Sequence, residues 1–199
     1  MDTLLAQLVE LAGGPGFEHR VAAFMAAEME QRGAVVSRDA IGNVIGALDA
    51  DQDAPAVMIS AHMDEVSLLV KYIDPQGFIY FVPNGTVSEA ILPGTQVDIW
   101  TMDGQAIPGV IGSRSRHLQD EFSSATPPRP WIDVGARDAA DVTRLGVRVG
   151  DMVVFRPNFR RLANGYVVSK ALDDRMGCAL LLHILGALAD QARDYRLYF

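Results

Sequence analysis

His62, Asp64 and Glu65 come directly after six residues that carry no charge, "AVMISA" (56–61). A strand that reads as buried core normally ends in a turn, not in an imidazole with a carboxylate two residues on. Residues i and i+2 of an extended strand point to the same side. Asp64 can therefore hold the His62 ring in one tautomer and raise its basicity, as carboxylates do behind metal-bound histidines. The pair also suits a strand-end histidine that merely bonds a carboxylate. Its place at the carboxyl end of a strand adds weight to a functional role, because ligands of open α/β sheets bind there.

The second motif is "SKALDDRMG" (169–177), with adjacent acids Asp173 and Asp174 where a strand hands over to a helix. An aspartate at a helix N-terminus is a good cap, and Arg175 could neutralise it. Both acids cannot occupy one cap, however, and two adjacent carboxylates repel unless a cation offsets them. A carboxylate that bridges two metal ions is the other use of such a residue, with the ions ~3.5–4 Å apart in two-metal hydrolases.

The elements that must position these groups are legible from periodicity. A helix is expected from Asp2 through Leu11, stopped by "AGGPG". A second runs from Glu18 to Arg32, with Val21, Phe24, Met25 and Met29 on one face and Gly33 as its stop. "AVVSRD", "NVIGALD" and residues 56–62 read as strands, the last of them buried. From Tyr72 to about Asn164 the apolar runs become short, alternating and punctuated by Gly or Pro, which is the texture of a small β-barrel or sandwich. One short helix, "DAADVTRLG", falls within it, and "SSATPPRP" (123–130) reads as a loop. Helical period returns from Asp174 to about Ala192, and "DYRLYF" begins a strand. The expected fold class is α/β. Residues 1–71 and 165–199 are expected to form an incomplete α/β domain, and 72–164 a β-barrel-like insert. Phe199 closes the sequence inside an apolar strand, so a truncated chain is expected.

Composition narrows the function. Net charge is −8 and the isoelectric point about 4.9, which argues against nucleic acid as a partner. A single cysteine, Cys178, allows no internal disulfide. The N-terminus lacks the basic region of a signal peptide, and no apolar run reaches the ~20 residues that span a bilayer. A soluble, cytoplasmic protein without a membrane partner is expected. His19 reads as solvated, His183 as a satisfied buried histidine, His117 as a structural or subunit-contact residue, and Cys178 as a small packing residue rather than a nucleophile.

"AHMDEV", followed by "ALDDRMG" with a β-rich insert between, resembles the M42 family of metallo-aminopeptidases, the glutamyl-aminopeptidase-like, tetrahedral peptidases. "GPGFEHRVAAFM" resembles the family's N-terminal helix start, and "VIGSRSRHL", "WIDVGA" and "LGVRVGDMVVF" resemble its insert. The resemblance covers essentially the whole sequence, but only about the first half to three-fifths of a full family chain. It implies an incomplete phosphorylase/hydrolase-like aminopeptidase domain that removes N-terminal residues from peptides with two divalent ions, Zn²⁺ or Co²⁺. It makes His62 a ligand of one ion, Asp173 the bridging carboxylate, Asp64 the catalytic-site acid that orients His62, and Asp174 and Arg175 supporting residues. It also implies a cis bond between Asp173 and Asp174, and homo-oligomers built through the insert, dimer-based and dodecameric in full-length relatives. The family's general base and remaining ligands belong to later sequence, so the chain as it stands is expected to be inactive. An inactive remnant or assembly module is the alternative, and an endoglucanase-type hydrolase a weaker one. Ser67 and Asn84 depart from the family's usual glycines.

Overall fold

Helix α1 (Asp2–Glu10) buries Leu5, Leu8 and Val9, and α2 (His19–Gln31) buries Val21, Met25 and Met29 at a spacing of four. That spacing places one apolar stripe along α2. The helix ends as its glycine predicts: Gly33 adopts φ +85° and donates its N–H to the Glu30 carbonyl at 2.9 Å. Strands β1 (Val35–Arg38) and β2 (Val44–Leu48) form an antiparallel hairpin, and β3 (Ala56–Met58) follows. The computed structural model describes residues 2–48, 53–113 and 129–199. His117 and residues 123–128 of the expected 123–130 loop lie outside the described residues.

The chain then builds a closed barrel from β4 (Ser67–Ile73), β5 (Ile79–Asn84), β6 (Gln96–Trp100), β7 (Ala106–Gly112), β8 (Trp131–Asp133) and β9 (Met152–Phe155), joined in the order β4-β5-β8-β7-β6-β9. Alternate residues of each strand point inward. Leu68, Ile79, Val97, Ile99, Ile111, Ile132 and Val153 fill the interior. Helix α3 (Ala139–Arg144) is capped by Asp138, whose carboxylate accepts the Asp141 N–H at 2.8 Å.

A two-stranded ribbon, β10 (Arg160–Arg161) with β11 (Val167–Val168), leads into α4 (Leu172–Leu188) and β12 (Arg196–Tyr198). Strand β12 lies between β2 and β3, antiparallel to the first and parallel to the second, giving a sheet in the order β1-β2-β12-β3. The core of this part joins Leu8, Val21, Met25, Leu182, Leu185 and Leu197.

Two compact units result: residues 1–65 with 157–199, and residues 66–156. The second unit starts earlier and ends earlier than the 72–164 expected. All of β4 pairs within the barrel, and the β10–β11 ribbon belongs to the first unit. Two further expectations are corrected. The strand expected to be buried over 56–62 is regular only over Ala56–Met58, and all three residues are exposed, because β3 pairs on one side only and forms a sheet edge among the described residues. The strand before "ALDDR" belongs to the ribbon, not to the main sheet. No helix among the described residues is long and apolar enough to cross a membrane.

Candidate functional site

Beyond β3 the chain runs without regular structure to Val66, yet it is tied down along its length. The Ile59 N–H donates to the Tyr198 carbonyl at 2.8 Å, extending the sheet pairing by one residue, and the Glu65 N–H donates to the Gly13 carbonyl at 2.8 Å. Between them the Cys178 thiol donates to the His62 carbonyl at 3.3 Å. His62 and Asp64 thus project from an anchored segment rather than from a strand end.

The His62 ring lies between two carboxylates. Its Nδ1 is 3.1 Å from Asp64 Oδ1, and its Nε2 is 3.0 Å from Asp173 Oδ1, across a sequence separation of 111. A neutral imidazole has one N–H and one lone pair, so it can donate to only one of these acceptors. The second contact needs a cation: either a proton on the ring, or a metal ion shared by the Nε2 lone pair and the Asp173 oxygen. Burial, the largest single influence, pulls the His62 pKa down. The Asp173 hydrogen bond, the charges of Asp64 and Asp174, and the Asp64 hydrogen bond outweigh it and hold the pKa above its ordinary value. The ring is half exposed and the Asp173 side chain almost fully so, leaving the facing atoms accessible.

The two adjacent acids divide the tasks that one residue could not perform. Asp174 accepts the Gly177 N–H at 2.9 Å and so caps the helical part of α4. Asp173 and Asp174 themselves have non-helical backbone angles (φ −92°, ψ 105° and φ −123°, ψ 37°), and the bond between them is cis. Asp173 makes no cap and faces His62. A residue with a Cβ at position 177 would collide with the Asp174 carboxylate, so Gly177 is needed for the cap and not for an unusual backbone angle.

Arg175 is fully buried. Its Nη1 donates to the Leu8 carbonyl at 2.5 Å and to the Leu11 carbonyl at 3.2 Å, which closes the C-terminal end of α1. Its Nη2 lies 3.8 Å from Glu65 Oε1. Gly13 admits this guanidinium: an added Cβ would sit 2.9 Å from Nη2. Sequence reasoning missed Glu65 and Lys170 as partners. Lys170 Nζ donates to both Glu65 oxygens, at 2.6 and 2.7 Å, with both side chains buried. The available signal was that Lys170 is one of only two lysines in the chain, which by itself names no partner.

The remaining candidates fall away from this site. His19 is exposed as expected. His183 is also exposed, on the outer side of α4, and is not the buried histidine expected there. Cys178 is buried, and burial pushes its thiol up to about 11, so it is a packing residue and not a nucleophile. A cleft of about 380 Å³ opens beside His62 and Asp64, with Glu18, His19, Arg38 and Asn43 on its walls. Among the described residues no group of three or more His, Cys, Asp or Glu side chains could hold a metal ion. As an electron-pair donor set, His62 and Asp173 fit a divalent cation of the borderline type, but supply two ligands only.

An α/β unit with a paired histidine and carboxylate, and a closed six-stranded barrel encoded between its two segments, defines the class of chain. Comparison with known proteins places it further. The profile of the family described as M42 glutamyl aminopeptidase matches residues 42–199. The chain is 37% identical over 187 residues to the protein SgcX of Escherichia coli K12, covering 92% of this chain and 50% of that one. Its fold matches an aminopeptidase of the archaeon Desulfurococcus kamchatkensis with a TM-score of 0.90 at 33% identity, over 98% of this chain and 54% of that one. It also matches a structure described as the PhTET1 dodecamer, with a TM-score of 0.86 at 31% identity, over 100% of this chain and 59% of that one. The chain belongs to the M42 glutamyl aminopeptidase family. It spans about half the length of the curated relatives it matches.

Proposed function

We propose that this chain carries part of the active site of a two-metal aminopeptidase, with His62 and Asp173 as metal ligands. The observation that supports this most directly is the 3.0 Å approach of His62 Nε2 to Asp173 Oδ1, two electron-pair donors close enough for one cation to touch both. Bound divalent ions, Zn²⁺ or Co²⁺, would supply an activated water and polarise the scissile carbonyl of a peptide. Asp64 holds the His62 ring by its Nδ1 and keeps Nε2 directed at Asp173. Asp174 secures the start of α4, so that Asp173 stays free. Arg175 anchors the same turn to the end of α1.

With two ligands in hand, the 199 residues by themselves are read as inactive. Residues 66–156 are read as an inserted domain that makes subunit contacts. Exposed apolar side chains on that unit, Tyr72, Ile91, Met102 and Val149, support an association surface, as does the dodecamer among the matching structures. We read the protein as cytoplasmic. An endoglucanase reading has less support, because a glycosidase needs two carboxylates flanking a sugar bond, whereas here the acids crowd one imidazole.

The test compares this chain with a version extended by the second half of a full-length relative, assayed on aminoacyl-p-nitroanilides with Zn²⁺ or Co²⁺. The extended protein gains chelator-sensitive activity, and His62→Ala or Asp173→Ala removes it. Equal activity in the short chain, or activity indifferent to both substitutions, overturns the reading.

A further inference from the structure

His62 is followed three residues later by Glu65, and Asp173 is preceded three residues earlier by Lys170. The structure joins these two flanking residues directly: Lys170 Nζ holds both Glu65 oxygens at 2.6 and 2.7 Å. The side chains are 7% and 2% exposed. A buried pair with bidentate geometry is rigid, and removing either partner leaves an uncompensated charge.

The two segments it joins would otherwise be pushed apart. One carries Asp64, the other Asp173 and Asp174, and His62 stands between them. Lys170 and Arg175 are two buried cations, and Glu65 is the buried anion they share. Burial pulls the Lys170 pKa down, and the Glu65 carboxylate only partly restores it.

We propose that Glu65 and Lys170 are positioning residues that fix the His62 segment against the Asp173 turn and so set the Nε2-to-Oδ1 approach of the site. The proposal rests on reading His62 and Asp173 as one site. It assigns neither Glu65 nor Lys170 a contact with metal or substrate. The Cys178 thiol on the His62 carbonyl holds the same segment from α4 but carries no charge, and so cannot offset the repulsion.

The experiment uses the whole 199-residue chain and compares wild type, Lys170→Met, and the double variant Glu65→Gln/Lys170→Met. The double variant replaces the Lys170–Glu65 pair by uncharged groups of similar volume, a change that folded proteins often tolerate. Arg175 loses the Glu65 charge but keeps its bonds to the Leu8 and Leu11 carbonyls, so the double variant keeps the question open to measurement if the single variant fails to fold. Far-UV circular dichroism and the melting temperature report folding. The nuclear Overhauser contact between the His62 ring and the Asp173 methylene reports position, and needs neither metal nor substrate. Wild type shows the contact. The double variant melts within a few degrees of wild type and loses at least half of the contact intensity. Full intensity in a folded double variant overturns the proposal, since the pair is then only structural. A Co²⁺ titration separates this from the peptidase reading, and it uses the version extended by the second half of a full-length relative, because the 199 residues by themselves supply two ligands only. If both readings hold, affinity of the extended protein falls about 10–100-fold with the double substitution, the usual cost of losing an outer-sphere support. If the contact is lost in the double variant but the extended protein takes up no Co²⁺, the positioning role stands and the metal reading fails.

Discussion

Gly177→Ala is a substitution whose ordinary sign this structure reverses. In a helix interior Gly→Ala stabilises by up to ~1 kcal/mol. At position 177 the new methyl would fall within the Asp174 carboxylate, 2.6 Å from its Cγ. The carboxylate must move, which breaks its 2.9 Å bond to the Gly177 N–H. Loss of an N-cap costs about 1 kcal/mol, and forcing a methyl into filled space a further ~1–3 kcal/mol. Set against the propensity gain, the net is a destabilisation of about 1–3 kcal/mol. Gly186, in the same helix, is the control: its added Cβ would meet only the Arg32 side chain at 3.4 Å, so Gly186→Ala is expected to stabilise by up to ~1 kcal/mol. Urea unfolding followed by circular dichroism reads both. A third variant isolates the cause, because in an Asp174→Ala background the collision is gone and Gly177→Ala becomes stabilising. If Gly177→Ala raises stability in the intact chain as Gly186→Ala does, Asp174 does not cap α4 and the division of labour between the two acids is wrong.

The His62 ring should titrate above 6.5 when followed by NMR, and Asp173→Asn should lower its midpoint, since the Asp173 hydrogen bond helps to raise it. A pKa higher in the folded than in the unfolded chain means tighter proton binding on folding. This stabilisation is therefore complete below pH 6.5 and is lost as pH rises through the folded value. A midpoint at or below the unfolded one contradicts the arrangement of carboxylates around the ring. Cys178, with its thiol pushed up to about 11, should react with a disulfide reagent at pH 8 only after urea unfolding; prompt labelling of the native chain would place it at the surface. Gly13→Ala should cost about 1–3 kcal/mol in urea titration, because its methyl would lie 2.8 Å from Val21 Cγ2 and 2.9 Å from Arg175 Nη2. A neutral result would mean that Arg175 does not pass this close to Gly13.

What lay in the sequence by itself was whatever repeats locally. The four-residue spacing of Val21, Met25 and Met29 specifies the buried face of α2, and Gly33 its end, because both depend on neighbours within one or two turns. The short alternating runs from Tyr72 to about Asn164 signal barrel strands for the same reason, though the barrel itself begins at Ser67 and ends at Phe155. The His62–Asp64 contact expected from their spacing is present, but the strand end it was argued from is not: an irregular segment anchored at Ile59 and Glu65 holds both residues. Only the tertiary structure decided the rest. It set β12 between β2 and β3, and so left β3 as an exposed edge where a buried strand was expected. It chose Asp174 for the cap and left Asp173 for His62, a choice that two identical side chains in adjacent positions cannot announce. It paired Glu65 with Lys170 across 105 residues. Such contacts leave no period in a sequence, since their partners are chosen by how separate elements pack and by which buried charges then need one another.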